Sequence, residues 1–140
     1  MSKVFDVFLN FDGDCRDALE FYSDVFGLAM PEEIMTFGQA PGFSGSEADR
    51  ERIIYASFPI YGISIMFSDC PAGQEYVKGT NITLSLGTDD AGEIERLYAA
   101  LSDGGSINRE LGNTFFNDYY AMVTDRFGIA WQLGLAPAEE

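Results

Sequence analysis

The side chains best suited to chemistry in this 140-residue chain are polar groups that share one face of several predicted strands. They are Asp6 and Asn10, then Tyr55 and Ser57, then Asn81, Thr83 and Ser85, and finally Gln132. Amides, hydroxyls and a phenol can orient a small polar molecule by hydrogen bonds. Two interpretations stay open, because such side chains either form the solvated faces of ordinary antiparallel strands or line a shared polar cavity.

Apolar and aromatic side chains could supply the walls of such a cavity, although aromatic residues also belong in hydrophobic cores. The candidates for walls are Phe8, Met66, Phe115, Phe116 and Tyr120. Taking polar and apolar groups together, we expect a ligand-binding site with no catalytic residue assigned. Its predicted members are Tyr55, Asn81, Gln132, Asp6, Ser57, Met66, Phe115 and Phe116.

The composition excludes several classes of function. The chain has no histidine, which rules out Ser-His-Asp and Cys-His nucleophilic systems and every metal site that uses imidazole. Acidic residues outnumber basic ones 23 to 8, and the formal charge of −15 repels phosphate backbones and anionic lipid surfaces. We therefore expect neither nucleic acid nor a membrane as a partner. The sequence also lacks the βαβ Gly-rich loop that would hold S-adenosylmethionine, and no cofactor is expected.

The cysteines and the N-terminal residues predict a cytoplasmic protein. Cys15 and Cys70 lack CxxC spacing, so neither a disulfide framework nor a zinc site is indicated, and we expect both to be reduced packing residues. The first residues show no apolar secretory core.

The first half of the chain predicts a strand, a helix and a hairpin. The strand covers residues 3–11, and Asp14 is placed to cap a helix that ends at Gly27. The apolar positions of that helix are Cys15, Ala18, Leu19, Tyr22 and Phe26. After a stretch over 28–37 that Pro31 breaks, residues 38–52 predict a long irregular loop, either a mobile flap or a plain surface excursion. Strands over 52–58 and 60–68 then form a hairpin that turns near Pro59 and Gly62.

The second half repeats this order. Residues 80–86 predict a strand, and Asp90 and Glu93 have the spacing of a capping box at the start of a helix that ends at Gly104. A short strand begins at Ile107. Strands over 119–124 and 129–135 then flank the turn at 125–128, which places Gln132 on the face opposite Trp131.

The two predicted helices align at an offset of 76 residues, with Tyr22 over Tyr98 and Val25 over Leu101. Such an internal repeat predicts two βαβββ modules and therefore an α+β fold. We expect one domain over residues 1–140, with modules at about 1–70 and 79–136. One helix cannot cover both faces of a sheet, so each module leaves a face for solvent, a cavity or another chain.

Several segments together resemble the PhnB-like branch of the glyoxalase/bleomycin-resistance/dioxygenase superfamily, also called the vicinal oxygen chelate superfamily. They are residues 9–22 (LNFDGDCRDALEFY), 25–27 (VFG), 66–69 (MFSD), 104–105 (GG), 114–116 (TFF) and 125–131 (DRFGIAW). The resemblance covers nearly the whole chain. It implies paired βαβββ modules whose curved mixed sheets surround a cavity, in a homodimer.

The same resemblance implies positions for one divalent metal, which active members hold mainly with His and Glu. Those positions fall at Asp6 or Val7, at Tyr55 or Ser57, at Asn81 or Thr80, and at Gln132. None of them is His or Glu, so no metal is expected. The leading hypothesis is a metal-free protein that binds a small molecule.

Two other functions stay open. One is a lyase, isomerase or dioxygenase that uses a divalent metal, or a metal-free acid-base reaction at Tyr55 or Asp6. The other is a structural or regulatory dimer without a ligand.

Overall fold

The computed structural model describes residues 2–137, and the chain divides into two compact units, residues 1–77 and 78–140. Each unit contains one βαβββ module built on a four-stranded curved mixed sheet. The α+β class and the tandem modules that the sequence predicts are therefore confirmed. No helix within the described part of the chain is both long and apolar enough to cross a membrane.

The first unit consists of four strands, one long helix and two short helical turns. In chain order these are β1 (Val7–Phe11), α1 (Cys15–Phe26), β2 (Met35–Thr36), a 3₁₀ turn (Phe37–Gln39), α2 (Glu47–Arg50), β3 (Ile53–Ile60) and β4 (Ile63–Asp69). The strand order in the sheet is β1-β4-β3-β2, with β1 parallel to β4 and the remaining pairs antiparallel.

The second unit has the same topology. Its elements are β5 (Leu84–Thr88), α3 (Ala91–Ser102), β6 (Ser106–Gly112), β7 (Tyr120–Thr124) and β8 (Ala130–Leu135). The sheet order β5-β8-β7-β6 matches that of the first unit, and β5 again runs parallel to the last strand. Both ends of α3 lie 76 residues beyond those of α1, which confirms the predicted offset.

Each helix packs one apolar face on its own sheet. On α1 the buried residues include Leu19 and Tyr22, and the Tyr22 ring lies 5.7 Å from that of Phe67 on β4. On α3 the buried residues are Ile94, Leu97 and Leu101. Helical spacing of apolar residues predicts this burial, although Val25 rather than Phe26 completes the buried face of α1.

The caps of the helices are confirmed in part. Gly27 ends α1 in the left-handed conformation at φ 63°, and the Asp90 carboxylate accepts from the backbone N–H groups of Gly92 and Glu93. Asp14 stands at the N-cap of α1 but its side chain makes no capping hydrogen bond. Asp69, at the end of β4, instead accepts from the N–H of Cys15 at 3.1 Å and of Gly13 at 2.7 Å.

Several predicted boundaries are wrong. β1 begins at Val7 rather than residue 3, and β5 begins at Leu84 rather than residue 80. The first hairpin turns at Tyr61 and Gly62, both at positive φ, while Pro59 lies inside β3. The long loop is not irregular throughout, because it contains α2, which Ser46 caps by accepting from the N–H of Asp49 at 3.1 Å.

Candidate functional site

Three of the predicted site residues meet on the sheet of the first unit. Ser57 on β3 pairs with Met66 on β4, and Met66 pairs in turn with Phe8 on β1. Tyr55 lies two residues before Ser57, and its ring centroid is 6.5 Å from that of Phe8. These side chains are half-buried or exposed, so they form an aromatic and apolar face opposite the core of this unit.

Asp6 and Asn81 lie outside the strands in which the sequence places them. Both side chains are exposed, Asp6 just before β1 and Asn81 three residues before β5. The reason is the extent of the neighbouring strands, since β5 pairs with β8 only from Leu84 opposite Trp131. A residue without a partner strand has no ladder to hold it extended.

The second unit brings three polar side chains into one hydrogen-bonded row. Gln132 on β8 lies opposite Ser85 on β5, and its Nε2 donates to the Ser85 hydroxyl oxygen at 3.0 Å. The Tyr120 hydroxyl on β7 donates to Oε1 of Gln132 at 2.6 Å. We call Ser85, Gln132 and Tyr120 the polar row.

Local sequence explains why the polar row faces away from the core. Trp131 and Leu133 are 2 % and 0 % exposed, so strand alternation turns Gln132 between them to the opposite face. Tyr120 is buried on that face, and Gly134 opposite it leaves room for the ring. A β-carbon at Gly134 would stand 3.0 Å from Nδ2 of Asn117 and 3.7 Å from Cδ2 of Tyr120.

The register of this row is fixed by the turn between β7 and β8. The Asp125 carboxylate is 3 % exposed and accepts from the N–H groups of Phe127 and Ile129 and from Nε1 of Trp131 at 2.8 Å. Gly128 supplies the positive φ that the turn requires. The predicted turn is therefore confirmed, and the indole N–H of Trp131 is hydrogen-bonded to it.

Beside the polar row, an open groove of about 630 Å³ carries exposed aromatic rings. Its lining includes Asp89, Phe115, Phe116 and Asp118, and the C-terminal end of β8 closes one side. The Phe116 ring centroid lies 5.0 Å from that of Tyr120 in an edge-on arrangement. We call this feature the aromatic groove.

Phe116 is thus brought against Tyr120 of the polar row, and Phe115 packs on Phe116 in the aromatic groove. The sequence did not single out Asp89 or Asp118, nor the hydrogen bond of Tyr120 to Gln132. Strand alternation places Tyr120 and Gln132 on the same face of the sheet. This pattern is the sequence signal that could have indicated their hydrogen bond. No local pattern indicates the two carboxylates of the groove.

A separate charged cluster lies at the start of α1. The Arg52 guanidinium donates to Asp12 Oδ1 at 2.6 Å and to the carbonyl of Cys70 at 2.8 Å. The Cys70 thiol also donates to Asp12 Oδ1, at 3.4 Å. The hydrogen bond from Arg52, and after it the one from the Cys70 thiol, lower the pKa of Asp12 below its ordinary value of 3.8. Partial burial, then the Asp12 carboxylate, raises the pKa of Cys70. The thiol is therefore kept in its protonated, weakly reactive form.

The donor groups do not fit a divalent metal of the kind that the resemblance implies. Within residues 2–137, no group of three or more His, Cys, Asp or Glu side chains is placed to hold a metal ion. At Gln132 the group offered is a neutral amide, whose oxygen accepts from Tyr120 and whose Nε2 donates to Ser85. Neutral amide and hydroxyl donors are weak ligands for transition metals.

Comparison with known proteins gives consistent similarities. Residues 5–133 match the family model of the Glyoxalase/Bleomycin resistance protein/Dioxygenase superfamily. Protein YjdN of Escherichia coli (strain K12) is 30 % identical over 138 residues, which cover 91 % of this chain and 92 % of that protein.

Solved structures show the same fold. Protein PA1353 from Pseudomonas aeruginosa superposes with a TM-score of 0.83 at 32 % identity, covering 96 % of this chain and 98 % of its own. A PhnB protein from Bacillus cereus superposes with a TM-score of 0.80 at 24 % identity, covering 96 % and 100 %. Both likenesses therefore extend over nearly the whole chain.

Proposed function

The chain belongs to the glyoxalase/bleomycin resistance protein/dioxygenase superfamily, and from this membership we propose that it binds a small molecule by hydrogen bonds, without a metal. The observation that carries the proposal is the hydrogen bonding of Gln132. Its side chain stands where the resemblance places the last metal-binding carboxylate of active relatives. Here that position holds a neutral amide whose two ends are fixed by Tyr120 and Ser85.

A fixed amide is suited to recognition. Gln132 is half-buried and Ser85 exposed, so a ligand can reach these two side chains, while the buried Tyr120 helps to hold the amide in one geometry. Each of these groups retains further hydrogen-bonding capacity, because an amide oxygen and a hydroxyl oxygen each accept more than one bond. Preorganised polar groups lose little conformational freedom on binding, which favours affinity.

The nearby aromatic rings support the same proposal. Small-molecule sites combine a few placed polar groups with apolar and aromatic walls. Phe116 contacts Tyr120 of the polar row and also lines the aromatic groove. A ligand with a polar end and an apolar body could therefore engage both features of the second unit. Tyr55, Ser57 and Met66 on the first unit remain proposed contacts of the same kind, and so do the exposed Asp6 and Asn81.

The experiment is a thermal-shift screen of small polar and aromatic metabolites on the protein and on Gln132→Ala. A ligand at about 100 times its dissociation constant should add about 2.7 kcal/mol to the free energy of unfolding. We expect Gln132→Ala to weaken the ligand about threefold to tenfold, as loss of one neutral hydrogen bond does. Gln74→Ala, at an exposed loop position, is the matched control and should bind as the unaltered protein does.

Calorimetry with Ni²⁺, Zn²⁺ and Mn²⁺ separates this proposal from the enzyme alternative. We expect no stoichiometric binding of any of these ions to protein freed of metal. Tight binding of one ion per chain, lost in Gln132→Ala, would overturn metal independence and favour a lyase, isomerase or dioxygenase.

Homodimer formation and a cytoplasmic location remain proposals alongside the function. Val4 and Phe5 are 85 % and 95 % exposed in the segment before β1, and a second chain would remove such apolar surface from water. Light scattering across a range of protein concentrations tests the dimer. Both cysteines are free, as in a reducing compartment.

A further inference from the structure

Two large aromatic rings of the aromatic groove are exposed to solvent. Phe115 is fully exposed and Phe116 is 60 % exposed, and their ring centroids lie 5.2 Å apart in an edge-on arrangement. Exposed rings of this size in a concave site are a recognised mark of a binding surface.

The loop that carries both rings is well ordered by its own hydrogen bonds. The Thr114 hydroxyl oxygen accepts from the N–H of Phe116 at 3.2 Å and of Asn117 at 2.9 Å. Asn117 in turn joins the loop to β8, since its Nδ2 donates to the carbonyl of Leu135 at 3.2 Å. The rings are therefore presented from a fixed backbone.

The charge of the groove selects among possible occupants. Asp89 and Asp118 both line it, and none of its described lining residues is Lys or Arg. The nearest helix terminus does not offset this charge, because Asp90 already accepts from the N–H groups of Gly92 and Glu93 at the start of α3. The formal charge of −15 over the whole chain also draws cations and repels anions.

From this combination we propose that the aromatic groove binds an organic cation with a flat apolar body. The cationic group is held by Asp89 and Asp118, and the apolar body lies on the rings of Phe115 and Phe116. Aromatic faces also attract cations directly, which adds to the carboxylate attraction. The proposal rests on the proposed small-molecule binding and names the chemical class of the ligand.

The experiment compares three probes that share a naphthalene ring and carry substituents of different charge, measured by calorimetry on the full chain at pH 7. They are 2-naphthylmethylamine, which is a cation at this pH, 2-naphthylmethanol, which is neutral, and 2-naphthoate, which is an anion. We expect the amine to bind about fivefold more tightly than the alcohol, as one exposed charge pair allows, and the anion to bind weakest. Added salt should reduce the preference, because it screens exposed charges.

Variants locate the effect in the groove. Asp89→Asn and Asp118→Asn should each weaken the amine about twofold, should together remove most of its fivefold preference, and should leave the alcohol unchanged. Asp24→Asn removes the same charge from an exposed position on α1 and should alter neither probe. Phe116→Leu should weaken amine and alcohol alike, because it removes a ring and no charge. Circular dichroism confirms that each variant is folded.

Equal affinity for amine and alcohol, or an unchanged amine affinity in the double variant Asp89→Asn/Asp118→Asn, would overturn the choice of a cation. Failure of the amine to bind at millimolar concentration would also overturn it. Small-molecule binding itself is decided separately by the metabolite screen with Gln132→Ala, so failure of the cation proposal can be told apart from failure of the proposed function.

Discussion

The Tyr120 hydroxyl donates a hydrogen bond of 2.6 Å to Oε1 of Gln132 across the neighbouring strands β7 and β8. The two residues are not directly opposite each other, since Gln132 pairs with Met122 and Tyr120 with Gly134. The contact is therefore diagonal, which a long side chain such as Tyr can span. It ties together the end of this hairpin that lies away from the turn at 125–128.

Replacing Tyr120 by Phe should reduce the free energy of unfolding by about 0.5–1.5 kcal/mol, because a single neutral hydrogen bond is lost while the ring stays in place. Urea denaturation measures the change. Tyr98→Phe, on the α3 helix of the same unit, serves as the control for the loss of a hydroxyl. An unchanged stability in Tyr120→Phe would show that the hydrogen bond contributes nothing to holding Gln132.

Replacing Asp125 by Asn should destabilise the protein by about 2–3 kcal/mol, because three donors lose a charged acceptor in a buried place. The near-ultraviolet circular dichroism of Trp131 should change as well, since its indole N–H loses its partner. Asp24→Asn, at an exposed site, should stay within about 0.5 kcal/mol of the unaltered protein. If both variants unfold at the same denaturant concentration, the proposed role of Asp125 is wrong.

Gly105 directly precedes strand β6 and Gly112 is its last residue, but the space around the two glycines differs. A β-carbon at Gly105 would stand 2.1 Å from the carbonyl oxygen of Thr124, whereas one at Gly112 would meet nothing within 4 Å. We expect Gly105→Ala to cost about 1–3 kcal/mol through backbone displacement, and Gly112→Ala to be close to neutral. Thermal unfolding of the two variants tests this, and a larger loss at Gly112 would contradict it.

The ion pair of Asp12 with Arg52 should make stability sensitive to acid. The pKa of Asp12 is depressed in the folded protein, chiefly by the hydrogen bond from Arg52, so its contribution is present above the ordinary value of 3.8 and is lost as pH falls through the lower folded value. We expect the melting temperature of Asp12→Asn to lie below that of the unaltered protein at pH 7. The difference should shrink below about pH 4.

The measurement is the melting temperature of both proteins from pH 7 to pH 2, over which the difference between them should disappear. Asp24→Asn provides the comparison at an exposed aspartate. A gap that stays constant over the whole range would mean that Asp12 acts through packing rather than through its charge.

The two cysteines should react slowly and unequally with iodoacetamide at pH 8. Cys15 is fully buried, and this burial, followed by the Asp69 charge, raises its pKa, so it should be labelled only when the protein unfolds. Cys70 is half-exposed and should be labelled in the folded state, faster in Asp12→Asn because the neighbouring carboxylate is removed. Peptide mass spectrometry reports both rates. Labelling of Cys15 at the rate of Cys70 would contradict the burial.

Much of the scaffold could be predicted from local patterns. The apolar spacing from Cys15 to Tyr22 predicts a helix with one buried face, and the same spacing 76 residues later predicts its repeat. Gly27 and Asp90 mark helix ends by their own chemistry. Alternation around Trp131 likewise predicts that Gln132 faces away from the core.

The ends of strands could not be predicted in this way. Residues 80–83 alternate like a strand, yet β5 begins at Leu84, because its pairing with β8 begins only at Leu84 opposite Trp131. Asn81 is consequently exposed outside the strand. The prediction that the Asp14 side chain caps α1 is wrong for a similar reason. The carboxylate that accepts from the N–H groups of Gly13 and Cys15 belongs to Asp69, which is distant in sequence.

The sequence by itself determined the superfamily, the repeated modules, the main turn and the outward direction of Gln132. The superfamily follows from the resemblance of several sequence segments to its members. The modules, the turn and the direction of Gln132 follow from side-chain periodicity and from glycine and capping positions, which act over a few residues. Only the tertiary structure decided that Tyr120 and Ser85 bind Gln132 and that Asp89 shares a groove with Phe116. Such neighbours depend on strand register and on chain segments that meet only after folding, so no local pattern encodes them.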